Sequence, residues 1–260
     1  MVKGLKKYLQ YEREVTVAVS DTDFTGRIKP SAIMGYCQDV ATEHADILKI
    51  GYDDMRARGL GWVMIRMSFK VYQSPKVCDV LTVRTFPEKP KSADVNRGYY
   101  ILNKNGDIII AASSKWCVLN LERQRIQRCT PIFEQFSDNE FIPKAPFEDA
   151  NYKIDDIIKY GTPSCETLVQ AVQITDLDYN GHMNNARYGD AILNICDPDF
   201  LREYIPSRID INFMSQLFLK DSLEVYSTTP RQNADITYVE AKKVNCDEVV
   251  FRGRVEWSKR

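Results

Sequence analysis

The chain has 260 residues, 44% hydrophobic and 27% charged, long enough to bury a sizeable core without a disulfide or metal staple. Its net charge of −1 gives no global field that would recruit nucleic acid or an anionic membrane. Seven scattered cysteines, an odd number without a C-x-x-C, exclude a disulfide framework and a zinc site and fit buried thiols in a reducing compartment.

The N-terminal segment MVKGLKKYLQYER has no apolar stretch of the secretory kind, and no run of about 18 apolar residues follows, so a cytoplasmic protein without a membrane span is expected. Lys3, Lys6 and Lys7 form a small basic cluster on which an acidic partner can dock, although a solvated terminus is the simpler reading. A strand is predicted near 12–19, then a polar loop around Asp23-Phe24-Thr25-Gly26-Arg27-Ile28. Ser31 is a candidate N-cap for a helix to Leu48, whose Ile33, Tyr36, Cys37, Val40 and Ala41 recur at helical spacing. His44 reads as a surface or half-buried residue of that helix. Further strands are expected near 61–73, 78–87, 93–104 and 107–120, with Asn105-Gly106 as a hairpin turn. Pro131, Pro143 and Pro146 then mark a linker over 128–162, with short helical pieces.

The remainder repeats the first part at a spacing of about 140 to 155 residues. Asp178-Tyr179-Asn180-Gly181-His182-Met183 matches Asp23 to Ile28 and precedes a second helical pattern from about Asn185 to Cys196, capped by Asn184 or Asn185. Met67-Ser68-Phe69-Lys70 parallels Ile211-Asn212-Phe213-Met214, Ala93-Asp94-Val95 parallels Ala234-Asp235-Ile236, and Trp116 parallels Trp257. Strands are predicted near 166–174, 207–218, 221–229, 234–244 and 247–258. Each half is thus one helix against a mostly antiparallel sheet, an α+β architecture.

The two loops keep one scaffold but differ in chemistry. Thr25 and Arg27 stand where the second half has Asn180 and His182. Hydrolysis of an ester-like bond needs a proton carrier and a donor for the developing oxyanion. His182 titrates near neutrality, the Asn180 amide can polarise a carbonyl or hold water, and Asp178 can orient the imidazole or act as a nucleophile. The following helix is expected to offer unpaired N–H groups to an oxyanion. Turn and cap chemistry alone is the competing reading of the same residues.

These residues resemble the acyl-acyl carrier protein thioesterases of plants and bacteria. The similarity rests on Asp176 through Tyr188, which carries a D-x-N-x-H-x-N-N block, on Trp62 through Met67, and on Ala112-Ser113-Ser114-Lys115-Trp116. The resemblance implies a tandem hot-dog fold, each half an antiparallel sheet wrapped around a long helix. It implies residues 1–127 as the half holding the acyl chain, 128–162 as linker and 163–260 as the catalytic half. It implies hydrolysis of fatty acyl thioesters on acyl carrier protein, without a cofactor or metal, with catalytic residues at Asp178, Asn180 and His182. Where the family often has Glu, followed by Cys in plant members, this chain has Gln216 and Leu217, with Ser215 one residue away. A cysteine nucleophile is therefore not expected, and Gln216 is assigned to orienting water or substrate. Met34, Trp62, Met64 and Met67 are candidates for the acyl tunnel, or are ordinary core. A hot-dog dehydratase or hydratase is a second reading, though the usual H-x-x-x-x-P context is missing after His182. A non-hydrolytic acyl-carrier-binding module is a third, and monomer and homodimer are both open.

Overall fold

The structure, a computed structural model, describes residues 9–137, 140–142, 145–163, 167–228 and 236–260. The Lys3, Lys6 and Lys7 cluster, Pro143, Cys165 and the Ala234-Asp235 part of the repeat lie outside these residues. The first half runs β1 (Tyr11–Thr16), α1 (Pro30–Ile47), α2 (Tyr52–Ala57), β2 (Leu60–Val71), β3 (Val80–Pro87), β4 (Asp94–Leu102), β5 (Ile108–Asn120) and a short β6 (Arg125–Gln127). After α3 (Thr130–Phe133) the second half runs β7 (Leu168–Ala171), α4 (Arg187–Asn194), α5 (Pro198–Glu203), β8 (Tyr204–Phe213), β9 (Ser222–Ser227), β10 (Ile236–Lys243) and β11 (Val249–Lys259).

The described residues build one continuous sheet in the order β1-β3-β4-β5-β2-β8-β11-β10-β9-β7, with β6 on β5. The order is the same in both halves, read outward from the β2–β8 seam. Met67 pairs with Ile211 across that antiparallel seam. These are the two residues that the internal repeat aligns, so the pseudo-twofold axis of the molecule passes through this pair. Isolated half-sheets would leave β2 and β8 as open edges; pairing them satisfies both rows of backbone groups.

Alternation along the strands sends one face under the helices and the other outward. Under the helices, Phe69, Ile209, Ile211, Val239 and Phe251 are almost fully buried with Ile33, Cys37 and Val40 of α1 and Ala191 and Ile192 of α4. Each such aliphatic or aromatic side chain contributes on the order of 2 kcal/mol to burial. The two helices meet at Gly189, where a Cβ would lie 3.1 Å from Pro30 and Ser31, so a larger residue would push them apart.

Several expectations need correction. Ser31 is not an N-cap: Lys29 holds that position, Pro30 occupies the first turn and Ser31 is buried in the helix. The second helix is only eight residues long, because Asp197 caps a new helix that Pro198 opens. Its cap is Ala186, with Asn184 Oδ1 accepting from Ala186 N at 2.9 Å. His44 is buried rather than surface-placed, at 3% exposure.

The outer face of the sheet is crossed by residues 145–160. Asn151 N donates to Ser68 Oγ and its Nδ2 to Ser113 Oγ, while Asn212 Nδ2 donates to Tyr152 O and its Oδ1 accepts from Ile154 N. Beneath the segment, fully buried Asp210 accepts from Arg208 and Arg254. A buried carboxylate between two guanidiniums holds the seam together, and without it only the less buried Glu256, 2.7 Å from Arg254 and 4.0 Å from Arg208, would face the two cations.

Candidate active site

The two repeated loops are built by the same hydrogen bonds. In the second half Asp178 N donates to His182 O at 2.8 Å and Gly181 N to Asp178 O at 3.0 Å. Asp178 Oδ1 accepts from Asn180 N at 2.8 Å and His182 N at 3.4 Å, and Oδ2 from Asn180 Nδ2 at 3.3 Å. In the first half Asp23 N donates to Arg27 O at 2.8 Å and Gly26 N to Asp23 O at 2.9 Å. Asp23 Oδ1 accepts from Thr25 N and Oγ1, both at 2.7 Å, and from Arg27 N at 3.3 Å. Gly181 and Gly26 take φ of 78° and 77°, a left-handed turn that explains the glycine in each. The aspartate is therefore the brace of the turn in both halves, whatever else Asp178 does.

The surroundings of the two loops differ. The Asp23 loop faces a cavity of about 30 Å³, bounded by Leu201, Tyr204, Pro206 and Arg260, with room for about one water. The Asp178 loop opens on a cavity of about 560 Å³ between the halves, of the size that holds small ligands. Asp178, Asn180, His182 and Gln216 all line it, together with Trp62 and Met64. Met34 and Met67 do not: they are 3% and 2% exposed in the shared core. The Met34 side chain packs at the α1–α4 crossing and Met67 lies on the seam, which leaves neither free to meet a ligand.

His182 sits at the end of an isolated bridge to Phe218, and its ring meets the Phe218 ring edge-on at 4.9 Å. Among the described residues the imidazole has no hydrogen-bond partner, so both ring nitrogens are uncommitted; the Asp178 carboxylate bonds within the loop. Tyr179 packs edge-on against Tyr52 of α2 at 4.9 Å, closing the loop over the first half. The first turn of α4 does not offer the unpaired N–H groups expected of it. Ala186, Arg187, Tyr188 and Gly189 donate to Asn184 Oδ1, Asn184 O, Asn185 O and Ala186 O.

One lining residue, Arg97, was not anticipated, and Ser215 was noted only as the neighbour of Gln216. Ser215 lies beside Gln216, and its hydroxyl is buried without a hydrogen-bond partner among the described residues. Arg97 of β4 is 8% exposed, on the same face as apolar Val95, Tyr99 and Ile101. Its period-two placement was the signal in the sequence: an arginine at an inward position of an otherwise apolar strand face. Arg97 Nη1 meets His44 Nδ1 at 3.1 Å and donates to Thr85 Oγ1 at 3.3 Å. Burial, then the Arg97 charge, pushes the His44 pKa down to about 3, so His44 is a neutral acceptor. The described residues contain no cluster of His, Cys, Asp and Glu able to hold a metal ion.

Two family models match the chain, the acyl-ACP thioesterase N-terminal domain over residues 8–135 and its C-terminal domain over 164–259. The chloroplastic acyl-[acyl-carrier-protein] hydrolase FATB2 of Cuphea viscosissima is 27% identical over 179 residues, 65% of this chain and 43% of its own length. The chloroplastic oleoyl-acyl carrier protein thioesterase of Coriandrum sativum is 23% identical over 290 residues, 97% of this chain and 78% of its own. The chain spans about half the length of several such plant relatives. Among solved structures, the 12:0-ACP thioesterase from Umbellularia californica matches with a TM-score of 0.85 and 18% identity, covering 99% of this chain and 100% of that one. An acyl-ACP thioesterase from Bacteroides thetaiotaomicron matches with a TM-score of 0.82 and 21% identity, covering 96% and 98%. At these identities the structural likeness shows a shared tandem hot-dog fold.

Proposed function

The chain belongs to the acyl-ACP thioesterase family, and on that premise we propose that it hydrolyses fatty acyl thioesters of acyl carrier protein, releasing free fatty acid and ending chain elongation. The observation that carries this function is the unequal pair of loops. One scaffold occurs twice, and the histidine stands only in the copy that opens on the large cavity.

In the proposed reaction the acyl chain lies along Trp62 and Met64 with its thioester beside the Asp178 loop. His182 takes a proton from water as it attacks the carbonyl, and returns it to the departing thiolate. The Asn180 and Gln216 amides hold the water or donate to the oxyanion. Asp178 fixes the turn and places a negative charge beside the forming imidazolium. No sulfur nucleophile enters, since Leu217 is buried and apolar. The twofold pairing that hot-dog halves need is met inside one chain by the β2–β8 seam, which supports a monomer. Free thiols at six cysteines among the described residues suit a reducing compartment, and we place the protein in the cytoplasm. No helix among the described residues is long and apolar enough to cross a membrane.

The test is thiol release from matched acyl-carrier and acyl-coenzyme A thioesters by wild type and His182→Ala. Release on acyl carrier protein, reduced about 100-fold or more in the variant, is expected. Tight carrier binding without release by folded wild type would instead favour a binding module, in keeping with Gln216 where a carboxylate is often found. An enoyl or hydroxyacyl thioester as product would mark a dehydratase or hydratase.

A further inference from the structure

The loop that lacks the histidine carries a fixed charge in its place. Arg27 stands where the second copy has His182, and among the described residues it bonds through its backbone alone. Its Nε is buried without a hydrogen-bond partner. A second guanidinium on the same cavity wall, Arg260, donates from Nη2 to Leu201 O at 2.8 Å and pairs with no acid among the described residues. Asp23, the carboxylate of this wall, braces its loop through Oδ1 and forms no ion pair with either arginine. Burial and the like charge of Arg260 draw the Arg27 pKa down, with Asp23 opposing them, but a guanidinium stays charged at neutral pH. An unpaired buried N–H on a cation is costly unless a ligand accepts from it.

The cavity between these groups is the counterpart of the reacting one, and no residue lines both. Ser74 and Tyr204 also line it, and neither hydroxyl has a hydrogen-bond partner among the described residues. The wall therefore offers two cations and two hydroxyls against one carboxylate. Its volume of about 30 Å³ excludes an acyl chain, but admits one oxygen of a small anion whose other atoms stand at the rim. The lining comes from segments far apart in the chain: the loop before α1, the start of β8 and the end of β11.

We propose that the Asp23 loop is an anion-binding site, in which a small oxyanion accepts a hydrogen bond from Nε of Arg27 and faces Arg260 as a second cation. A phosphate-like group is the best match, since it has oxygens and charge enough to serve two guanidiniums, and a carboxylate shares the same chemistry. The duplicated scaffold then serves proton transfer in one copy and anion binding in the other. A bound anion ties the segment before α1 to the end of β11, so occupancy stabilises the fold. This site stands whether or not the chain hydrolyses thioesters.

The experiment follows thermal unfolding of wild type and Arg27→Met at pH 7 in sodium phosphate, sodium acetate and sodium chloride of equal ionic strength. At about ten times its dissociation constant, the anion should raise the wild-type Tm by roughly 3–6 °C over chloride, and Arg27→Met should lose that rise. A rise with phosphate, with acetate or with both names the source of the oxyanion. An equal rise in both proteins is a general salt effect and overturns the proposal, as does no rise over chloride in wild type. Calorimetric titration with inorganic phosphate gives a second reading: binding by wild type and none by the variant supports the site, and equal binding by both overturns it. Should Arg27→Met not fold, Arg27→Lys keeps the charge without Nε. It should bind phosphate about 10-fold more weakly, and unchanged affinity would overturn the role of Nε.

Discussion

Replacing Asp178 by Asn, with Asp23→Asn as its internal control, separates what the aspartate does for the turn from what it does for chemistry. Each carboxylate accepts two backbone N–H bonds and one side-chain bond within its loop. Asparagine keeps one acceptor oxygen but loses the charge, and a charge-assisted hydrogen bond is about twice as strong as a neutral one. Both loops are partly solvated, so the two substitutions should each cost about 1 kcal/mol. For a chain of this size that lowers Tm by about 2–4 °C in either case. Activity should divide them. Asp23→Asn leaves a loop without histidine that faces a 30 Å³ cavity, and thiol release should stay within about 3-fold of wild type. Asp178→Asn should lose about 100-fold or more if, as proposed, its charge supports the imidazolium formed on the loop that lines the large cavity. Melting curves and thiol-release kinetics on the three proteins supply both readouts. Matched Tm values with undiminished turnover by Asp178→Asn would refute the assignment and leave Asp178 as a brace alone.

Further outcomes follow from the same geometry. Gln216→Ala should lower kcat/KM about 10-fold, the worth of one positioning hydrogen bond, and an unchanged value would take Gln216 out of the site. His44 has a folded pKa of about 3 against 6.5 for the free group. Below 6.5 the unfolded chain binds a proton that the folded chain refuses until near pH 3, so His44 removes stability as pH falls through that window, by at most about 1.4 kcal/mol per pH unit. Urea unfolding at pH 7 and pH 5 should show a smaller acid loss in His44→Gln, which keeps an acceptor for Arg97; equal losses in both proteins would disprove the coupling. Asp210→Ala takes the buried carboxylate from Arg208 and Arg254, leaving Glu256 as their shared counter-ion, and should cost about 3 kcal/mol in urea unfolding. A cost under about 1 kcal/mol would mean that water reaches the seam.

The internal repeat determined most of the architecture from sequence. Period-two runs of Val, Ile, Tyr and Phe set the strands to within a few residues, and the Asp-x-x-Gly turn appeared twice because each copy needs a carboxylate brace and a residue free to take positive φ. The asymmetry at Arg27 and His182 was likewise visible in the residues alone, and so was the family resemblance that the matching models bear out. Tertiary structure decided what depends on approach between distant segments. The pairing of Met67 with Ile211 fuses two sheets into one, a contact that no local pattern encodes. Gly189 lets α1 and α4 close on each other, which puts Met34 in the core and leaves Trp62 and Met64 to face the cavity. Inward placement of Arg97 was readable from its strand. Its contact with His44 was not, since that depends on how α1 packs over the sheet. Periodicity fixes which face a side chain takes, but the cost of burying a charge is set by every group the fold brings within a few ångströms of it.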